Sequence, residues 1–192
     1  MIATLRPLTY DDLVQMPDDG QRREALGGEL IVYPAPRRDH QEVVANLDWL
    51  VQQFLRASGL GRVYTHPVDV YLGRHDIVQP DLVVIRDSRL SIYRPEGIVT
   101  EPPDIVVEIQ SPRTRGIDLV RKMALYARSG VPEYWIADPE QRTCSSTSGV
   151  VRSISRWSRM LKVGSPRQRF RDCASTPRTF FPDSIERAEQ SD

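Results

Sequence analysis

Residues 105–109 read Ile-Val-Val-Glu-Ile, and this short stretch decides the fold. It is rich in β-branched residues and is bounded by prolines at 102, 103 and 112. A run of this length and composition is typical of a strand that is covered on both faces of its sheet. Burying the carboxylate of Glu108 in such a strand costs several kcal/mol unless it is paired, hydrogen-bonded or bound to a metal. The sequence therefore predicts that Glu108 has a specific partner.

A second carboxylate opens another apolar strand. Residues 79–85 read Gln-Pro-Asp-Leu-Val-Val-Ile, which places Asp81 at the entrance of that run. A later helix carries Lys122, one of only two lysines among the 26 basic residues. Two carboxylates on two central strands, followed by a lysine, are typical of a site that hydrolyses phosphodiesters. If the strands are neighbours, Asp81 and Glu108 would bind one Mg²⁺, with the main-chain carbonyl of Ile109 as a further ligand and Mn²⁺ as an alternative ion.

Each of these residues also has a purely structural interpretation. Asp118 and Lys122 have the spacing of an ordinary salt bridge within a helix. Asp81 follows a proline and would suit a turn at the start of a strand. Glu29, a further candidate that would bind a second metal or orient the helix bearing Lys122, follows a glycine pair and would be half-exposed in a hairpin. The combination is more specific for a catalytic site than any of its members.

The remaining sequence predicts an α/β fold, a mixed β-sheet with helices on its faces. Apolar residues recur every three or four positions in the predicted helices, and shorter apolar runs between turn residues mark the strands. His40, at the start of the longest helix, favours a capping or surface position. The predicted helices span residues 10–16, 40–58 and 116–129, and the predicted strands span 23–26, 29–33, 62–72, 81–86, 104–110 and 133–137.

Composition limits the class of protein. A chain of 192 residues with 40% hydrophobic and 27% charged residues suits one globular domain. No apolar run has the roughly 20 residues that a membrane span needs, and residues 1–7 lack the apolar core of a signal peptide. Two cysteines are too few for a disulfide scaffold or a zinc cluster. We expect a cytoplasmic protein, and its zero net charge predicts no global attraction to nucleic acid.

The character of the sequence changes after residue 141. Residues 1–141 contain 16 basic and 21 acidic side chains, whereas residues 142–178 contain nine basic and one acidic. The latter segment has eight arginines, eight serines and no sustained strand or helix period. The sequence thus predicts one domain over 1–141 and an atypical Arg/Ser-rich segment over 142–192. A flexible basic tail and a shifted reading frame are both open interpretations of that segment.

An ordered series of motifs resembles the putative restriction endonuclease family, a bacterial group within the PD-(D/E)XK nuclease superfamily. The resemblance covers roughly residues 5–141, and its strongest part is the block from Pro103 to Pro112. It implies a restriction endonuclease-like fold in which Asp81 is the aspartate of the pattern and Glu108 its second acidic residue. The lysine expected at position 110 is replaced by Gln110, and Lys122 on the following helix resembles the migrated lysine of this family. The other matching blocks are Gly28-Glu29-Leu30, His40, Gln79-Pro80-Asp81-Leu82, Asp118, Leu125-Tyr126-Ala127, residues 130–135 and Asp138-Pro139.

The resulting hypothesis is a Mg²⁺-dependent endonuclease that acts on DNA. Asp81 and Glu108 would bind the metal, Lys122 would assist, and Glu29 and Gln110 would support the site. A homodimer is expected because cutting both DNA strands requires two sites. A non-catalytic module on a nuclease fold, binding nucleic acid or protein, is the main alternative, and a mobile-element remnant without selected activity is a third.

Overall fold

The structure is a computed structural model and describes residues 6–111, 116–140 and 143–148. The helices are α1 (Tyr10–Val14), α2 (Arg38–Ser58) and α3 (Met123–Arg128), with a 3₁₀ helix at Asp87–Ile92 and a π-helical turn at Ile117–Lys122 that continues into α3. The strands are β1 (Arg22–Leu26), β2 (Glu29–Tyr33), β3 (Gly61–Thr65), β4 (Asp69–Gly73), β5 (Asp76–Val78), β6 (Leu82–Arg86), β7 (Ile98–Val99), β8 (Ile105–Ile109), β9 (Glu133–Asp138) and β10 (Thr143–Ser148).

Strand β8 lies at the centre of one of two five-stranded sheets. The strand order of this central sheet is β10-β9-β8-β6-β3. β8 pairs antiparallel with β6 and parallel with β9. All five residues of β8 are buried, as its β-branched run predicts for a strand covered on both faces. The predicted fold class is confirmed, with two mixed sheets in place of one.

Helix α2 covers one face of the central sheet. Its apolar stripe is buried and packs against the side chains that β6 and β8 present to the same face. Fully burying each such aliphatic side chain contributes about 1.5–3 kcal/mol, so this contact is a main source of stability. The helix ends at Gly59, whose φ of 64° is readily adopted only by glycine. The residues of the stripe are Val43, Leu47, Val51 and Leu55.

The second sheet, ordered β2-β1-β5-β4-β7, contributes to a second core. Val83 and Val106, on the other faces of β6 and β8, pack in that core with residues of the second sheet and of α3. The single strand predicted over 62–72 is wrong, because β3 joins the central sheet and β4 the second. Pro67 lies between them and lacks the N–H that a continuous ladder requires. β5 and β7, of three and two residues, are too short for their period to show in the sequence.

Strand β10 extends the domain beyond the predicted boundary at residue 141. All six of its residues pair antiparallel with β9, from Thr143 opposite Asp138 to Ser148 opposite Glu133. Residues 143–148 thus form a strand although the segment after residue 141 shows no sustained strand period in its sequence. The sequence Thr-Cys-Ser-Ser-Thr-Ser lacks an apolar alternation because an edge strand can be held mainly by its ladder hydrogen bonds. Residues 149–192 lie outside the described part of the chain, so neither interpretation of that segment is tested.

Within the described residues, no helix combines the length and the apolar character needed to cross a membrane.

Glu133, at the start of β9, makes stability depend on pH. Its side chain is buried and accepts a hydrogen bond from Trp135 Nε1 at 2.8 Å. Burial raises the pKa of Glu133 to about 7 from an ordinary 4.5. Because the pKa in the folded protein exceeds that in the unfolded chain, the protonated carboxyl stabilises the fold fully below pH 4.5, and this contribution is lost as pH rises through 7.

Glu133→Gln keeps an acceptor for Trp135 but cannot ionise. We expect it to raise the free energy of unfolding by about 2–3 kcal/mol at about pH 8 and by less than about 0.5 kcal/mol at about pH 4. Urea unfolding at the two pH values measures this difference. The exposed Glu96→Gln is the matched control, with little effect at either pH. An equal effect of Glu133→Gln at both pH values would contradict the assignment.

Candidate active site

Asp81 and Glu108 lie side by side at one end of two neighbouring strands. In the antiparallel pair of β6 and β8, Leu82 is opposite Val107. This register places Asp81, the residue before β6, opposite Glu108. Both carboxylates are buried, with exposed fractions of 3% and 2%. The two strands therefore bring together the acidic residues that the sequence predicts as a pair.

Both oxygens of Asp81 interact with nitrogen donors. Oδ2 accepts a hydrogen bond from the Ile109 amide at 2.7 Å and lies 3.2 Å from His40 Nε2. Oδ1 accepts a hydrogen bond from Arg22 Nη1 at 2.9 Å. Burial alone would raise the pKa of Asp81, but the contacts with His40, Arg22 and the amide outweigh it and lower the pKa to about 2. Asp81 is therefore a carboxylate at neutral pH, as metal binding requires.

Glu108 is oriented by the helical segment that follows β8. Its Oε1 accepts hydrogen bonds from Lys122 Nζ and from the Tyr126 hydroxyl, both at 2.8 Å. Its Oε2 lies 3.3 Å from Arg22 Nη2. Lys122 and Tyr126 are one helical turn apart, which lets both reach the same carboxylate. The structure thus brings Lys122 to Glu108. The salt bridge that the sequence allows between Lys122 and Asp118 is not tested, because the Asp118 side chain lies outside the described part of the structure.

Glu24 is a third buried carboxylate, one that the sequence analysis did not select. It is fully buried in β1, where its Oε1 accepts hydrogen bonds from Lys122 Nζ at 2.9 Å and from the Gln79 amide at 2.9 Å. Its Oε2 accepts a hydrogen bond from the Tyr33 hydroxyl at 2.8 Å. Burial opposes ionisation, but Lys122 and Arg22 outweigh it and lower the pKa of Glu24. Strand alternation places Glu24 on the same face as Leu26, and this was the available signal.

Glu29, which was predicted to belong to the site, lies outside this cluster. Its side chain is 66% exposed and accepts a hydrogen bond from Arg121 Nη2 at 2.8 Å. Glu29 therefore contacts the residue before Lys122 but none of the three buried carboxylates in the described contacts. Glu29 lies away from the cluster because it adjoins the turn at Gly27-Gly28, whereas Glu24 is in the middle of β1.

Arg22 contacts all three carboxylates. Nη1 donates to Asp81, Nη2 lies within hydrogen-bonding distance of Glu24 and Glu108, and Nε donates to Glu24 at 3.2 Å. The guanidinium also lies 4.5 Å from the centre of the Tyr33 ring. Burial would lower the pKa of Arg22, but the three carboxylates raise it well above its usual value. With Lys122, the cluster contains three negative and two positive groups, which leaves one negative charge.

A cleft with a cavity volume of about 920 Å³ opens onto this cluster. Arg22, His40, Asp81, Glu108 and Gln110 all contribute to its lining. Gln110 is only 7% exposed, and its Nε2 has no hydrogen-bond partner among the described residues. A buried amide without an acceptor is costly, so this group points to a ligand or water in the cleft. Lys122 does not line the cleft, because it is fully buried behind Glu108.

The donor set fits a hard divalent cation. Among the described residues, no group of three or more His, Cys, Asp or Glu side chains forms a complete metal cage. Mg²⁺ commonly takes only one or two carboxylates and completes its shell with water and substrate oxygens. Asp81 Oδ1 and Glu108 Oε2 already converge on one positive group, the Arg22 guanidinium. The same two oxygens suit a metal ion if Arg22 releases them. The Ile109 carbonyl remains a predicted ligand, since only its amide contact is described.

Lys122→Met tests the cost of breaking the buried network. The variant removes the fully buried cation that Glu24 and Glu108 share and leaves Arg22 to balance three carboxylates, so we expect the free energy of unfolding to fall by about 3–5 kcal/mol. Arg121→Met removes only an exposed ion pair with Glu29 and is the matched control, with an expected loss below about 1 kcal/mol. Chemical unfolding of both variants gives the comparison. Equal losses would show that Lys122 does not hold buried charges together.

Comparisons with known proteins identify a family and a related fold. Residues 10–155 match the model of a protein family described as Uma2, putative restriction endonuclease. Among solved structures, the chain is similar to a putative nuclease belonging to DUF820 from Anabaena variabilis. The TM-score is 0.66 at 18% sequence identity, and the match covers 88% of this chain and 99% of the other. This likeness concerns the fold. The curated proteins include no match to the chain.

The family model spans most of the chain, including the strands that carry the three carboxylates and the turn that carries Lys122. The resemblance in the motifs, the restriction endonuclease-like fold and the match to the family model agree. The chain belongs to the Uma2 family of putative restriction endonucleases.

Proposed function

We propose that this protein is a divalent-metal-dependent endonuclease that hydrolyses phosphodiester bonds in DNA. The observation that carries the proposal is the convergence of Asp81 and Glu108 on one cation position at the mouth of a cleft, with Lys122 behind them. Family membership supports a nuclease, and the cluster supplies a chemical basis for one.

Charge explains why a metal would be needed. The three carboxylates, Arg22 and Lys122 sum to one negative charge, which repels a phosphodiester. A bound Mg²⁺ would reverse the sign and would supply Lewis-acid stabilisation and an activated water. In that arrangement Asp81 and Glu108 hold the ion. Because the carboxylates are buried, their electrostatic interactions with a cation are stronger than they would be in water.

Lys122 acts as a positioning residue in this proposal. Its ammonium is fully buried and donates to Glu24 and Glu108, so it fixes the orientation of Glu108. The assistance expected of Lys122 from the sequence is in this proposal the orientation of Glu108. Gln110 lines the cleft, and its Nε2, which has no partner among the described residues, can donate a hydrogen bond to a water or a phosphate oxygen. An amide stays neutral, so Gln110 orients such a group without taking its proton.

The ion-pair network itself favours a second candidate function. Arg22 contacts an oxygen of each carboxylate, so the cluster is held together without a metal. A non-catalytic module on the same fold would need nothing further. That function predicts salt-sensitive DNA binding in the presence of a metal chelator and no cleavage in Mg²⁺.

Glu108→Gln tests the proposed catalysis. The change keeps the volume but removes a metal-binding charge, and we expect DNA cleavage in Mg²⁺ to fall by about two orders of magnitude or more. Glu101→Gln is the control, because Glu101 is an exposed residue paired with Arg89 and does not line the cleft. Nicking of a supercoiled plasmid gives the rate, and circular dichroism confirms the fold. Cleavage by Glu108→Gln at the wild-type rate would overturn the proposal.

A further inference from the structure

Arg22 and Lys122, the two cations of the cluster, differ in their contacts and in their exposure. Lys122 is fully buried and donates to two of the carboxylates, whereas Arg22 contacts all three. The Arg22 side chain is 15% exposed and lines the cleft. Of the two cations, Arg22 can therefore move towards the cleft, whereas Lys122 is fixed in the buried interior.

The hydrogen bonds of Arg22 divide into two sets. Nε and Nη2 both donate to Glu24 Oε1, at 3.2 and 2.8 Å. The terminal nitrogens reach the predicted metal ligands, Asp81 at 2.9 Å and Glu108 at 3.3 Å. The guanidinium can thus keep Glu24 through Nε while it releases the other two carboxylates. Glu24 is the pivot of such a movement, and Tyr33 and the Gln79 amide hold Glu24 in place.

An independent observation indicates that the cleft takes a polar ligand at this point. Gln110 lines the same cleft, and its buried Nε2 has no hydrogen-bond partner among the described residues. A phosphate group entering the cleft would offer an acceptor oxygen to this donor, and a guanidinium is well suited to bind a phosphate through paired hydrogen bonds.

We propose that Arg22 exchanges partners during the reaction cycle. In the metal-free protein its guanidinium takes the place of the divalent cation between Asp81 and Glu108. When the metal enters, Arg22 releases both carboxylates and binds the phosphodiester in the cleft. This inference rests on the proposed function, because it assigns a metal and a phosphodiester to the same site. In this proposal Arg22 positions the two metal-binding carboxylates in the metal-free protein and binds the substrate in the metal-bound one.

The exchange predicts effects of opposite sign in a single variant. Arg22→Gln removes the competing cation, so Mg²⁺ affinity measured by calorimetry should rise about tenfold. The same variant lacks the phosphate contact, so the affinity for a DNA duplex, measured with Ca²⁺ in place of Mg²⁺ to limit cleavage, should fall roughly tenfold. A purely structural Arg22 would lower both affinities, because the carboxylates would lose their positions. Only a rise in the first with a fall in the second supports the proposal, and any other combination overturns it.

Arg23→Gln is the matched control. Arg23 adjoins Arg22 in β1 but donates to the Pro17 carbonyl and to Asp19, outside the cluster. Neither affinity should change in that variant. The double variant Asp81→Asn, Glu108→Gln should bind no Mg²⁺, which assigns the calorimetric signal to this site. Mg²⁺ binding that persists in the double variant would overturn the exchange.

A measurement on the wild-type protein covers the case in which Arg22→Gln does not fold. The Nε–Hε signal of Arg22 in a ¹⁵N nuclear magnetic resonance spectrum should shift as Mg²⁺ is added, with the same dissociation constant as in calorimetry. The Arg23 signal should stay in place. An unshifted Arg22 signal at saturating Mg²⁺ would overturn the exchange.

The results also separate this inference from the proposed function. Cleavage that depends on Glu108, with Mg²⁺ affinity unchanged in Arg22→Gln, would leave the nuclease proposal standing and remove the exchange. Opposite-sign effects in Arg22→Gln, together with a wild-type protein that binds DNA but does not cut it, would support the exchange of Arg22 partners and remove the nuclease proposal.

Discussion

The structure depends on the balance of charge among three buried carboxylates and the two cations that hold them. Glu24 and Glu108 lie on β1 and β8, Asp81 directly precedes β6, and each would be costly to bury alone. Arg22 makes burial possible by contacting all three, and Lys122 contacts Glu24 and Glu108. The cluster therefore joins the two sheets and the π-helical turn before α3 through charge, in addition to the apolar cores on either face of β6 and β8.

Three residues of the cluster, Asp81, Glu108 and Lys122, could be predicted from the sequence. The β-branched runs around Asp81 and Glu108 predicted buried strands, and the structure places both carboxylates at one end of neighbouring strands. The scarcity of lysine drew attention to Lys122, which is indeed fully buried against Glu108. The predictions for Asp81 and Glu108 succeed because a carboxylate in or beside an apolar run can be recognised from a few neighbouring residues.

The parts that were missed depend on contacts between distant segments. Glu24 and Arg22 lie in a hairpin that looks polar, and only its packing against β6 and β8 shows which of its charges face inward. Glu29 was named as a candidate and Glu24 was not considered, because the sequence of a hairpin does not reveal which of its residues approach the site. β10 was missed because its stability comes from the neighbouring strand β9, a partner that the composition of residues 143–148 does not reveal.

The separation of these residues along the chain has a consequence for folding. Arg22 precedes Asp81 by 59 positions and Glu108 by 86, and Lys122 comes later still. Contacts across such long loops form late, because the entropy of closing the loop must be overcome before they stabilise the chain. During synthesis, a chain that has not yet reached residue 122 carries its carboxylates without the full set of counter-charges. The charge cluster can therefore be complete only after residue 122 has been synthesised and the first hairpin has docked.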